Sequence, residues 1–225
     1  PQQVQDAAGA NSFTYNNQQI GLPYNLDFRG TLVNMTKFKE AGINEPPQTW
    51  AELLADAKTL KASGKVEFPI GMPLSITENT STPWYTLVRS AGGEVLNDKG
   101  EPAFATNGIG VSSLQFIRDA YEAGVIDPGA IGLTTEQVGQ EFVGGTSAVL
   151  LSAYPGSVNT GKPNVEGSNI VGDDLRFIHV PGEKDNTGGT IALEEALAIP
   201  AASKNQEAAA AGQPPTPTCW AAASA

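Results

Sequence analysis

Residues 20–43 read IGLPYNLDFRGTLVNMTKFKEAGI, and the order of elements in this stretch decides the fold. Ile20-Gly21-Leu22-Pro23-Tyr24 reads as a short strand ending at a proline, and Thr31-Leu32-Val33-Asn34-Met35 as a second strand. Lys37 to Gly42 is then a short helix closed by glycine, which takes the left-handed turn at a helix end without a Cβ penalty. Working outward, Pro46-Pro47-Gln48-Thr49-Trp50-Ala51-Glu52 places Thr49 as N-cap and Glu52 three residues on, the reciprocal arrangement of a capping box. The helix from Trp50 to about Lys61 carries Leu53, Leu54, Ala57 and Leu60 on one face.

The remainder alternates in the same way. Phe68-Pro69-Ile70 reads as a strand, and a helix starting at Pro83-Trp84-Tyr85 stops at Gly92-Gly93. Asn107 is expected to cap a helix with Val111, Leu114, Ile117 and Tyr121 on one stripe, ended by Gly124. Thr134 and Gln137 form a second capping box for a helix that Gly144-Gly145 terminates. Ser147 to Ser152 is a buried strand leading to Tyr154-Pro155-Gly156, and Leu175 to Val180 a strand ending at Pro181. Helices alternating with isolated short strands favour an α/β or mixed α+β sheet domain. Residues 207–225 are Ala/Pro-rich and read as a disordered tail.

Composition removes several function classes. In 225 residues, 13 Lys+Arg stand against 24 Asp+Glu, a formal charge of −11 that argues against a phosphate-backbone partner and so against nucleic acid. No apolar run approaches the roughly 20 residues that span a bilayer, so no membrane insertion is expected of this segment. One Cys (Cys219) and one His (His179) exclude an internal disulfide and Cys- or His-rich metal sites, and no cofactor is expected. Pro1 to Ala10 lacks the basic and apolar regions of a signal peptide.

Six segments, in this order, resemble the extracellular solute-binding proteins that feed sugars to ABC importers, of the maltose-binding-protein type. They are Ile20 to Ile43, Pro46 to Lys58 (PPQTWAELLADAK), Ala91 to Val95 (AGGEV), Gly124 to Ala130 (GVIDPGA), Glu141 to Gly145 (EFVGG) with the strand after it, and Leu197 to Ala208 (LAIPAASKNQEA). The resemblance covers about residues 18–208. It implies a type II periplasmic-binding-protein-like α/β fold, mostly the second lobe with the crossover segments, that closes on a sugar between lobes. The implied organisation is a first-lobe remnant and first crossover strand over 1–22, a second-lobe domain over 23–190, a second crossover over 191–208, and an aberrant or disordered tail over 209–225. A first lobe with a signal or lipoprotein segment is expected upstream of Pro1, and the helices that follow the SKNQEA motif in the family are replaced by the tail. Truncation, a frame shift and genuine divergence all fit that ending. The implied partners are a small-molecule sugar and the importer's membrane subunits; the implied state is a monomer, periplasmic or anchored outside the membrane.

A sugar site needs aromatic faces for the ring's C–H side and planar polar groups for its hydroxyls. Tyr24, Asp27 and Arg29 lie where the family has its cleft edge; an Asp27–Arg29 surface pair is the structural alternative. Asn34 stands at the family's Tyr-Asn position, with Val33 in place of the Tyr, and can equally satisfy a strand end. Trp84 and Tyr85 match an aromatic platform, and because adjacent helical residues point about 100° apart only one can face out; Trp84 is expected outward and Tyr85 inward. Tyr154 sits at a strand end, where α/β proteins place their sites. Glu195 falls near the second crossover, with Leu193-Glu194 where the family has a Gly-Gly pair. Trp50, in the PPxTW motif, reads as packing.

His179, alternating with Phe177, reads as a half-buried structural histidine. Gly-x-Ser-x-Gly and phosphate-loop motifs are absent. Asp173-Asp174 and Glu194-Glu195 are neighbours, whereas a glycosidase needs carboxyls about 5–9.5 Å apart across a bond. The reading is therefore a non-enzymatic sugar-binding component. Its rivals are a glycoside hydrolase, a binding module for a peptide, polyamine or other solute, and a non-functional remnant.

Overall fold

A computed structural model describes residues 13–76, 78–105, 108–154, 156, 168–170, 173–184 and 188–211. In chain order the first half holds β1 (Thr14–Tyr15), β2 (Gln18–Gln19), β3 (Leu22–Phe28), β4 (Gly30–Asn34), α1 (Met35–Glu40), α2 (Trp50–Ala62), β5 (Ile70–Gly71) and α3 (Glu78–Ser90). The second half holds α4 (Ile109–Glu122), a 3-10 turn (Pro128–Gly132), α5 (Thr135–Gly144), β6 (Val149–Ala153), β7 (Leu175–Ile178), β8 (Ala192–Leu197) and α6 (Gln206–Ala211). The chain divides into two compact units, Pro1–Phe28 with Ala192–Ala225, and Arg29–Ile191.

In the first unit, β1 and β2 form a hairpin whose turn residues Asn16 and Asn17 have φ of 48° and 60°. A two-residue hairpin turn asks for left-handed backbone at both positions, and Asn tolerates it better than other non-glycines. β3 pairs antiparallel with β8, from Leu22 opposite Leu197 to Phe28 opposite Ala192. The strand expected to end at Tyr24 thus continues to Phe28. Pro23 does not stop it because the register breaks between Pro23 and Asn25, where the ladder asks no donor of the proline.

The second unit is built on a mixed sheet in the order β5-β6-β4-β7, with β4 antiparallel to β6 and β7, and β5 parallel to β6. Every residue of β4 and β6 is buried, as a strand covered on both faces requires. On one face Val33, Val149 and Leu151 pack with Phe38, Leu53, Leu60, Leu87 and Phe116. On the other, Leu32 and Leu150 pack with Val138 and Phe142 of α5. Helices on both sides of one sheet make an α/β architecture, one of the two that the alternating elements allowed and the one that the resemblance implied.

Both capping boxes form. Thr49 Oγ1 accepts from Glu52 N at 3.2 Å, while Glu52 Oε2 accepts from Gln48 N at 2.8 Å and Thr49 N at 3.1 Å. Those two backbone donors hold the Glu52 carboxyl below its ordinary pKa. Thr134 and Gln137 repeat the arrangement on α5, which ends at Gly145 with φ 80°.

Three expectations are corrected. Helix α4 does not bury the Val111–Leu114 stripe: Val111 is 62% and Leu114 55% exposed, while Gly110, Ser113, Phe116 and Ala120 turn inward and Ile117 and Tyr121 are partly buried. The cause is close approach, since a Cβ on Gly110 would stand 2.7 Å from the Phe104 Cβ, so the small-residue face must be the packed one. Gly108, with φ 77°, is the N-cap, and Asn107 lies outside the described residues. His179 is exposed rather than half-buried, because β7 ends at Ile178 and it is Ile178 and Val180 that turn into the core. An exposed helix over Gln206–Ala211 overlaps the start of the Ala/Pro-rich stretch, and residues 212–225 lie outside the described part.

Candidate functional site

Four of the seven candidate residues, Arg29, Asn34, Trp84 and Tyr154, belong to the unit Arg29–Ile191, and two of these meet. Arg29 immediately precedes β4, and its backbone is fixed on both sides: Arg29 N donates to Ile191 O at 3.2 Å, and Thr190 Oγ1 donates to Arg29 O at 2.6 Å. Its guanidinium lies over the Tyr154 ring, 5.5 Å from the centroid, at the end of β6. A cation over an aromatic face contributes about 0.5–1 kcal/mol when exposed and more when desolvated. Tyr154 remains 38% exposed. Two glycines make room for rings at this edge: a Cβ on Gly156 would stand 2.5 Å from Tyr154 Cε2, and one on Gly30 would stand 2.4 Å from Phe177 Cζ.

Trp84 and Tyr85 sit on α3 edge to face, 5.3 Å between centroids. Their expected orientations are reversed. Trp84 is half-buried, donates from Nε1 to Gly110 O at 3.1 Å, and meets Phe104 edge-on at 5.2 Å. Tyr85 is the outward ring, 38% exposed. The indole turns in because α4 supplies a carbonyl for its N–H, which a buried indole needs.

Asn34 departs most from its expected role. It is fully buried at the end of β4, where its Oδ1 accepts from Lys37 N at 3.2 Å to cap α1. Its Nδ2 donates to Asn169 Oδ1 at 2.6 Å, and Asn169 in turn donates to Val143 O at 2.7 Å. The amide oxygen and one amide hydrogen are engaged inside the fold, where they satisfy a strand end.

The other unit holds Tyr24, Asp27 and Glu195. Tyr24 is 50% exposed on β3, Asp27 is half-buried, and Glu195 is exposed on β8 opposite Asn25, whose Nδ2 donates to Glu195 Oε2 at 3.3 Å. Trp50, read as packing from the PPxTW motif, is 6% exposed and stacks on Phe116 at 5.4 Å.

A carboxyl pair, Asp127 with Glu141, lies outside the residues that the sequence singled out. Burial and a hydrogen bond with Asp127 push the Glu141 carboxyl up to about 7. Asp127 also accepts from Gly129 N at 2.7 Å, and the Glu141 carbonyl accepts from Thr146 N and Ser147 N. The pair is in direct contact, closer than the spacing of glycosidase carboxyls, and is tied into the fold. Both residues lie in quoted segments, GVIDPGA and EFVGG, so the signal was present without its pairing. Asp174, the other suspect, is held by Lys39 and Thr36.

A surface cavity of about 510 Å³ is lined by Lys61, Lys65, Glu67 and Gly144 to Thr146, and contains none of the candidates. Its Lys61 ammonium donates to the Gly124 and Glu67 carbonyls. Among the described residues no cluster of three or more His, Cys, Asp or Glu could hold a metal ion. No helix among them is long and apolar enough to cross a membrane.

The family model described as bacterial extracellular solute-binding protein matches residues 1–211. A protein of Brucella abortus (strain 2308) is 26% identical over 191 residues, 84% of this chain and 44% of that protein. A Sinorhizobium fredii protein (strain NBRC 101917 / NGR234), named "probable amino-acid ABC transporter periplasmic-binding protein", is 30% identical over 139 residues, 57% of this chain and 31% of the relative. Among solved structures, maltose-bound T. maritima MalE3 superposes with a TM-score of 0.74 at 20% identity, over 94% of this chain and 51% of that one. An ABC transporter solute-binding protein from Thermotoga lettingae TMO, bound with alpha-D-tagatose, gives 0.73 at 24% identity, over 93% and 55%. The chain spans about half the length of the relatives it matches.

Proposed function

We infer function from one premise: this chain belongs to the bacterial extracellular solute-binding protein family, whose model covers residues 1–211. The fold is α/β and periplasmic-binding-protein-like. We propose that the solute is a carbohydrate, bound without chemical change, outside the cytoplasmic membrane, for delivery to the membrane subunits of an ABC importer. Arg29–Ile191 is then the second lobe, and its sheet edge supplies one wall of the site. Lobe closure about the crossovers, near Ile20–Asn25 and Ala192–Pro200, shifts the population toward the form the importer recognises.

The observation that carries this reading is Arg29 lying over Tyr154 at the end of β6, with Tyr85 exposed on α3. A guanidinium carries planar N–H donors that suit sugar hydroxyls, and half-exposed tyrosines offer ring faces and hydroxyls of their own. The sugars bound by the two structural relatives point the same way. Tyr24, Asp27 and Glu195 are proposed as further contacts, and Trp84 as the support behind Tyr85. Asn34 is withdrawn.

A second reading is favoured by one relative: the Sinorhizobium fredii protein is named for amino acids, and a guanidinium also suits a carboxylate. A thermal-shift screen against maltose, D-tagatose and the common amino acids separates the two. A ligand that binds only the folded state raises the midpoint by mass action, by about 2.7 kcal/mol of stability at a hundredfold excess over Kd. The carbohydrate reading expects shifts with a sugar and none with amino acids; the converse pattern overturns it.

A further inference from the structure

We propose that Ser152 is a positioning residue, whose left-handed backbone and buried hydroxyl fix where the ring of Tyr154 stands relative to helix α3. The inference rests on the site reading above for its consequence in binding, and on geometry alone for the positioning itself.

Ser152 lies within β6 yet has φ 59°. A non-glycine residue rarely enters this region, and one that does inside a strand is held there by its surroundings. The register shows why the backbone turns: Thr31 pairs with Leu151 and Gly30 with Ala153, so Ser152 is an extra residue on β6 with no partner in the β4 register. Such a bulge bends the strand and re-aims the side chains beyond it. The residue two positions beyond is Tyr154, under the Arg29 guanidinium.

The hydroxyl anchors the bulge. Ser152 is 7% exposed and Thr86 fully buried, and their Oγ atoms are 3.0 Å apart. Thr86 donates its single hydroxyl proton to Thr82 O at 2.8 Å. Thr86 therefore accepts at the other contact, and Ser152 is the donor. This bond joins β6 to α3 at the residue next to Tyr85. One hydroxyl pair thus ties together the two segments that carry Tyr85 and Tyr154, and the left-handed bulge sets the direction in which β6 leaves that tie.

The test uses the whole chain with ring-13C tyrosine, the five tyrosine signals assigned by single Tyr→Phe variants. Ser152→Gly keeps the left-handed backbone without a Cβ and removes the hydroxyl; Thr86→Val removes the acceptor at nearly constant shape; Thr86→Ser restores it. The Tyr154 ring signals are expected to move in Ser152→Gly and Thr86→Val and to return in Thr86→Ser, with Tyr121, bonded to the Pro128 carbonyl, unmoved. Unmoved Tyr154 signals in both of the first two variants overturn the proposal. Affinity for whichever of maltose, D-tagatose or an amino acid binds is measured on the same samples, with a loss of about tenfold expected in those two variants and recovery in Thr86→Ser. If the bound probe is an amino acid, or neither sugar binds, while the Tyr154 signals still move, the carbohydrate reading falls and the positioning role is upheld.

Discussion

The amide of Asn34 is divided between two partners, the Lys37 N–H at the start of α1 and the Asn169 side chain. Removing it leaves a helix donor uncapped and an interior amide unpaired, so Asn34→Ala is expected to cost about 2 kcal/mol of stability, read as a lower urea midpoint at unchanged slope. No change in midpoint would contradict the buried role. The sequence alone placed Asn34 at a strand end but could not show Asn169, 135 residues away, beside it. The same limit reversed Trp84 and Tyr85. Helical geometry requires that one face out, yet which one depends on the Gly110 carbonyl and the Phe104 ring, contributed by a segment some twenty residues later.

At the scale of elements, what was legible is what is local. Thr49 with Glu52 and Thr134 with Gln137 satisfy their own helix ends within three residues, so their capping boxes could be read directly. The packed face of α4 could not, because it is chosen by the closeness of Gly110 to Phe104 and not by the apolar content of the stripe. The pairing of Asp127 with Glu141 likewise depends on the 3-10 turn and α5 being brought together. It carries a pH signature. The Glu141 carboxyl, raised from 4.5 to about 7, binds its proton more tightly in the folded than in the unfolded chain. The folded state therefore holds more protons between these values, and stability falls as pH rises from about 4.5 to 7. Asp56, raised to about 6 by burial and by Glu52, adds to the same slope. Denaturation midpoints across this range are expected to decline with pH in the wild type and to decline less in Glu141→Gln. An equal slope in both would remove the pair as its source.

At the scale of the whole molecule, the order of short motifs along the chain carried the family, because segment order survives where individual side chains change. The solute was not legible in the same way. Solute recognition rests on a few precisely placed atoms, and in the proposed site the rings depend on non-local features, a bulge at Ser152 and glycines at 30 and 156 that leave room for them. The proposed function requires that Tyr154 and Arg29 touch a sugar. Titration calorimetry of the wild type and of Tyr154→Ala, with the sugar that gives the largest thermal shift, tests this most directly. We expect saturable heat from the wild type and at least a tenfold weaker Kd, about 1.4 kcal/mol, in Tyr154→Ala with its fold intact. Equal affinity in the two proteins would contradict the claim.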